Sequence, residues 1–179
     1  MMTRKLIVVS FSLALALCLP TLVKANASGV GLGVAIGGAY SGTEVSRANV
    51  RESVGVRPAW GFFVDIPLLQ TFYISPAAML YTFEDINGDG KDDAVTDVDI
   101  NFKFIVPVGT LHFGAGVTAG LTSGVQDSYA YHYGALGFAS VNLVANLDVF
   151  FLAQYKHLVL EDITDIEDWH GFVGGMFHF

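Results

Sequence analysis

The chain closes with Trp169 to Phe179, WHGFVGGMFHF, and the reading of this stretch decides the fold. Counting back from Phe179, every second residue (Phe177, Gly175, Val173, Gly171, Trp169) is apolar or glycine. The interleaved set, His178, Met176, Gly174, Phe172 and His170, holds both histidines of the stretch. A period of two with one apolar face belongs to a β-strand. The last residues of a soluble domain are usually polar and frayed. An aromatic residue ending such an alternating strand instead fits a wall-forming strand in a membrane, with Phe177 and Phe179 at the interface as the expected assembly signal.

Working outward, the same alternation recurs over residues 29–41, 53–67, 71–83, 95–107, 111–122, 130–143 and 147–160. The fourth of these sets Val98, Ile100, Phe102, Phe104 and Val106 against Asp97, Asp99, Asn101 and Lys103. Residues 130–143 fit least well. If Tyr131, Tyr133, Val141 and Leu143 face outward, Leu136 and Phe138 fall on the inner side; a β-bulge could resolve the conflict, but the sequence marks no position for one. Pro58 and Pro76 are also awkward, because a closed barrel has no free edge to excuse a missing donor.

Hydrophobic residues make up 53% of the chain and glycine numbers twenty, yet no apolar run after the first segment is long enough for a helical span. The pattern predicts an all-β protein, an eight-stranded antiparallel up-and-down transmembrane β-barrel. Short links fall at residues 67–70, 108–110 and 144–146, and longer polar ones at 42–52, 84–94, 123–129 and 161–168. Short turns belong on the periplasmic side and long loops outside, which places both termini in the periplasm.

Residues 1–27 read as a secretory signal peptide. Arg4 and Lys5 precede the apolar run from Leu6 to Leu22, and Ala25-Asn26-Ala27 supplies small residues for cleavage. The barrel domain is then 28–179. Cleavage would remove the one cysteine, Cys18, so neither a disulfide nor thiol chemistry is expected. It would also leave six basic residues against seventeen acidic ones, a net charge of −11 that repels nucleic acid.

With its eight spans, its alternating links and its terminal GGMFHF, the chain resembles the small outer-membrane barrels of the OmpA transmembrane-domain, OmpX and OmpW type. The resemblance covers the whole barrel domain and rests on architecture, with no family-defining motif. It implies a monomer in the outer membrane of a Gram-negative bacterium, inserted by the barrel assembly machinery and in contact with outer-membrane lipid and lipopolysaccharide. Roles within that group range from adhesion and wall-linked structure to channels for small hydrophobes and lipid A-modifying enzymes.

Three features carry candidate chemistry. Arg57, Lys156, Asp97 and Asp99 fall on the inner face at similar depth and form the expected lumen charge network. Buried charges are costly unless paired, so mutual neutralisation is the first reading and an ion or proton path the second. Thirteen of the seventeen acidic residues fall in or beside the long links, where they keep the surface soluble or bridge divalent cations to a partner. Within one link, Asp85-Ile86-Asn87-Gly88-Asp89-Gly90-Lys91-Asp92-Asp93 spaces the oxygen donors Asp85, Asn87, Asp89 and Asp93 as calcium loops do, with a glycine at the sixth position. Thr96 stands where a bidentate Glu completes an EF-hand, so Ca2+ is the one cofactor considered, and Asn-Gly and Asp-Gly also serve as plain turn residues.

His112 and His178 point inward near the short links, as hydrated lining or as a weak metal pair. No histidine stands in a recognisable catalytic motif, and the His-x-Ser element of the group's lipid A deacylases does not occur. The expected role is therefore non-enzymatic: a membrane-stabilising or surface-interaction barrel with acidic external loops. A narrow transporter for a small hydrophobic or ionic solute is the alternative, and a lipid A-modifying enzyme comes third.

Overall fold

Eight alternating runs become eight strands in the computed structural model, which describes residues 29–42, 56–83, 93–125, 128–159 and 166–179. The strands are β1 (Gly31–Gly42), β2 (Val56–Pro67), β3 (Phe72–Phe83), β4 (Asp93–Val108), β5 (Leu111–Val125), β6 (Ser128–Val144), β7 (Leu147–Val159) and β8 (Ile166–His178). They follow in chain order around a closed antiparallel barrel. The closing stretch does what its alternation requires. It pairs with β1 from Gly31↔His178 to Gly42↔Glu167, while Trp169, Val173 and Phe177 face outward and His170, Phe172 and Met176 are buried inside. The expected signal segment and the donors Asp85, Asn87 and Asp89 lie outside the described residues. Asp93 opens β4 opposite Phe83.

Both faces of the wall follow the period of two. Outward residues such as Val34, Trp60, Phe62, Val98, Val117 and Phe151 are exposed, whereas their sequence neighbours Ala35, Ala59, Phe63, Asp97, Thr118 and Leu152 are buried. Aromatic residues gather toward the two ends of the outer face. Tyr155 packs on Trp169 beyond the middle of the strands, and Phe177 meets Phe179 edge to face at the other end. Tight turns join β2 to β3, β4 to β5 and β6 to β7 at one end, where β1 begins and β8 finishes. Gly109 takes φ 66° in the second of these turns, a left-handed conformation that most residues resist.

Two expectations change. The link expected over 123–129 is shorter, because β5 runs on to Val125 and β6 starts at Ser128. The extension is possible because Gly124 adopts φ 98° and absorbs a register shift between Ser123 and Val125. The second change concerns β6, which needs no bulge at its centre. Pairing with β5 is continuous from Tyr129 to Val141, and Leu136 and Phe138 do point inward. They fit because they join the apolar cluster of the lumen, where Phe138 stacks on Phe150 at 5.9 Å, and because β5 presents glycines opposite them. A side chain at Gly116 would run into the Phe102 carbonyl.

A barrel closed this way is expected to hold its fold in detergent until it is heated. Unboiled and boiled samples in detergent are expected to migrate differently on a gel, with a β-rich circular dichroism spectrum before heating. A single unshifted band, or a helical spectrum, would overturn the assignment.

Candidate functional site

Eight strands leave an interior only wide enough for side chains, and here the side chains fall into tiers. The polar tier lies toward the end with the longer connections and centres on Lys156. Its ammonium is 2.6 Å from Asp97 and 2.9 Å from Asp99, with all three side chains fully buried. The structure thus brings together three of the four charged residues expected to form a network. The fourth, Arg57, lies at the second position of β2 opposite Ala39 and is partly exposed.

Around this centre stand residues from six strands, β3 to β8, that sequence reasoning left unassigned. His132 Nε2 lies 2.7 Å from the Asp99 carboxylate, and its Nδ1 is 2.8 Å from the Thr122 hydroxyl. The Tyr81 hydroxyl is within hydrogen-bond distance of Asp97 at 3.1 Å and of Asp168 at 3.2 Å. Asp168 in turn meets His170 Nε2 at 2.9 Å. Gln154 donates to Asn101 at 3.0 Å and to Asp99 at 3.4 Å. Asp168 counts among the acidic residues of the last long link in the sequence, yet it belongs to β8 and is fully buried. Its alternation with His170 and Phe172 was the signal that could have moved it into the wall.

A second pair lies lower. Lys103 on β4 reaches across β3 to Asp65 on β2, at 2.6 Å from both carboxylate oxygens, and Ser75 on β3 donates to the same carboxylate at 2.5 Å. The Lys103 ammonium also sits 4.7 Å above the Phe138 ring, a cation–π contact. Below the polar tier the lumen is aromatic. Phe63 meets Phe150 and Phe172 edge to face at 5.5 and 5.8 Å, and Met176 is buried alongside in the same apolar cluster. At the short-turn mouth Asp148 gathers His178 Nε2 at 3.4 Å, His112 Nδ1 at 3.7 Å and Asn142, which donates at 2.7 Å. The two histidines share a carboxylate between them.

The chemistry open to these groups is limited by access. Thr122, His132 and Asp99 stand in the order nucleophile, base, orienter. Yet Thr122 and Asp99 have no exposed surface, and the Lys156 ammonium holds the carboxylate. Asp97, Asp99 and His132 offer ligand atoms within 4.8 Å of one another, the spacing of a metal centre. Lys156 already supplies the positive charge such a set demands.

No family model matches the chain, and no curated protein matches it in sequence. Solved structures do. Neisserial surface protein A (NspA) is 12% identical and superposes with a TM-score of 0.62, over 85% of this chain and 98% of its own. The fold is that of the small eight-stranded outer-membrane barrels. Ail, the attachment invasion locus protein of Yersinia pestis, is 14% identical with a TM-score of 0.49, over 83% of this chain and 99% of its own. Outer membrane protein AlkL is 10% identical with a TM-score of 0.46, over 88% and 93% of the two chains.

Truncating Lys156 strands two carboxylates in the interior, and a broken buried pair of this kind costs about 3–5 kcal/mol. Lys156→Ala should therefore lower the urea midpoint of the lipid-folded barrel sharply. Replacing all three charges together, with Met at 156 and Asn at 97 and 99, should recover most of that loss.

Proposed function

We propose that the protein is a non-enzymatic barrel of a Gram-negative outer membrane, with its short turns and both chain termini on the periplasmic side. In this reading it strengthens the membrane and presents acidic loops to the exterior. One observation carries it: an apolar outer wall encloses a lumen packed from the Lys156 cluster down to the Phe63–Phe150 pair. A wall of exposed Val, Phe and Trp suits lipid, and a filled interior suits a support better than a conduit. The name of Neisserial surface protein A agrees with a surface role for this architecture. The absence of an approachable nucleophile among the described lumen residues supports a role without catalysis.

Planar-bilayer recording tests the closed lumen. The unmodified protein should insert without a steady current, and a stable, ion-selective conductance would give first place to the transporter reading.

The second part of the proposal concerns Asp85, Asn87, Asp89 and Asp93, whose spacing suits Ca2+. Lacking a bidentate ligand at Thr96, the loop should bind in the range of extracellular modules, about 0.1–1 mM. Calorimetry on the purified barrel should register calcium binding that Asp89→Ala abolishes and Asp127→Ala leaves intact. No heat at millimolar calcium would reduce the loop to a polar hairpin.

A further inference from the structure

The eight ladders of the wall are not equal. Among the described residues β2 and β3 share the shortest. They pair from Ala59↔Tyr81 to Phe63↔Ala77, break, and resume in the same register at Ile66↔Ile74 and Pro67↔Tyr73. The break leaves Pro76 opposite Val64 and Ser75 opposite Asp65 without a bridge. Beyond Ala59 the ladder between the described residues stops again. Val56 to Pro58 stay paired with β1, and Thr82 and Phe83 stay paired with β4, but not with each other.

Both interruptions coincide with proline, which has no N–H to give. The register explains why they fall in one seam. Along an antiparallel strand successive residues turn their N–H and C=O groups to opposite neighbours. In the shared register, Pro76 would donate to Val64, and Pro58 would donate across the same seam toward Thr82. Two missing donors that could have been spread around the barrel are therefore stacked in one junction. In a wall with no water to replace them, each lost bond weakens the junction locally.

The inner face compensates at this height. Ser75 and Asp65, the two residues left opposite each other without a backbone bridge, are joined by their side chains. Lys103 bonds both oxygens of the same carboxylate from β4, reaching over β3 to do so. We infer that the β2–β3 seam is the line along which this barrel opens, and that Lys103, Asp65 and Ser75 form the clasp that holds it shut. The clasp is ionic and side-chain borne, so it can be released without unfolding either strand.

Amide hydrogen exchange by NMR on the full barrel in lipid nanodiscs tests this directly. The amides of Phe62, Val64, Ile74 and Ala78 should exchange faster than those at the β6–β7 seam. Ser75→Ala removes one bond of the clasp and leaves the ion pair, so the barrel still folds. It should speed exchange at the β2–β3 seam by about threefold to tenfold, as expected for one hydrogen bond, without changing the β6–β7 seam. Lys103→Met should have a larger effect at the same amides. Pro76→Ala restores a donor and should slow exchange there below that of the unmodified protein. Equal protection around the barrel, or a Pro76→Ala variant that exchanges no more slowly, would overturn the inference.

Discussion

Each strand of this protein needs a partner on both sides, because an apolar outer face and a filled lumen leave bare backbone groups with no water to turn to. That requirement forces closure, and closure governs how the interior is filled. With eight strands the lumen has only side-chain width, so large inward residues must be matched by small ones. Gly114 and Gly116 on β5 face Phe138 and Leu136 on β6 for this reason. The same requirement gives Pro58 and Pro76 their weight. In an open sheet they would sit harmlessly at an edge, but here each removes a bond that the wall cannot otherwise supply.

Closure also reverses the usual placement of residues. The chain gives most of its Val and Ile, its two Trp and many of its Phe side chains to the outer face, and its interior takes Asp, Lys, His, Asn, Gln and Thr beside an apolar cluster. Such an interior is stable only when its polar members satisfy one another, since a half-satisfied buried network costs more than an apolar core. The contacts of Lys156 and Lys103 arise from this need. Each places one ammonium among acceptors drawn from strands far apart in sequence, Asp97 and Asp99 for the first and Asp65 for the second. Pairing of this kind adds little net stability over a well-packed apolar core. What it gives is register, because a one-residue slip of β4 would turn Asp97, Asp99 and Lys103 to the outer face.

That logic separates what could be read in the sequence from what could not. Alternation is a property of single strands, so the eight spans, the inward set Asp97, Asp99 and Lys103, and the closing stretch are all legible locally. Partnership depends on how strands lie beside one another, and nothing local encodes it. His132 and Thr122 both fall on the inner face by period, but only the pairing of β5 with β6 places an imidazole beside that hydroxyl. Asp168 was obscured differently, because the acidic residues before it read as loop and hid the start of β8. Leu136 and Phe138 are misplaced only under the assumption of a polar lumen throughout. An apolar lower tier makes them regular.

The two tiers oppose different solutes. An ion moving from the short-turn mouth passes Asp148 and the closed Lys103–Asp65 pair, and then meets Phe63, Phe150 and Phe172, whose rings offer no oxygen ligands to replace its hydration shell. A hydrocarbon coming from the other end meets Asp97, Lys156, Asp99 and Gln154 first, and would have to break an ion pair between fully buried groups to pass. Neither tier alone would exclude both kinds of solute. In the closed-lumen reading proposed above the two act together along one narrow axis, and the weakest line of the protein then lies in its wall at β2 and β3, where two proline donors are missing.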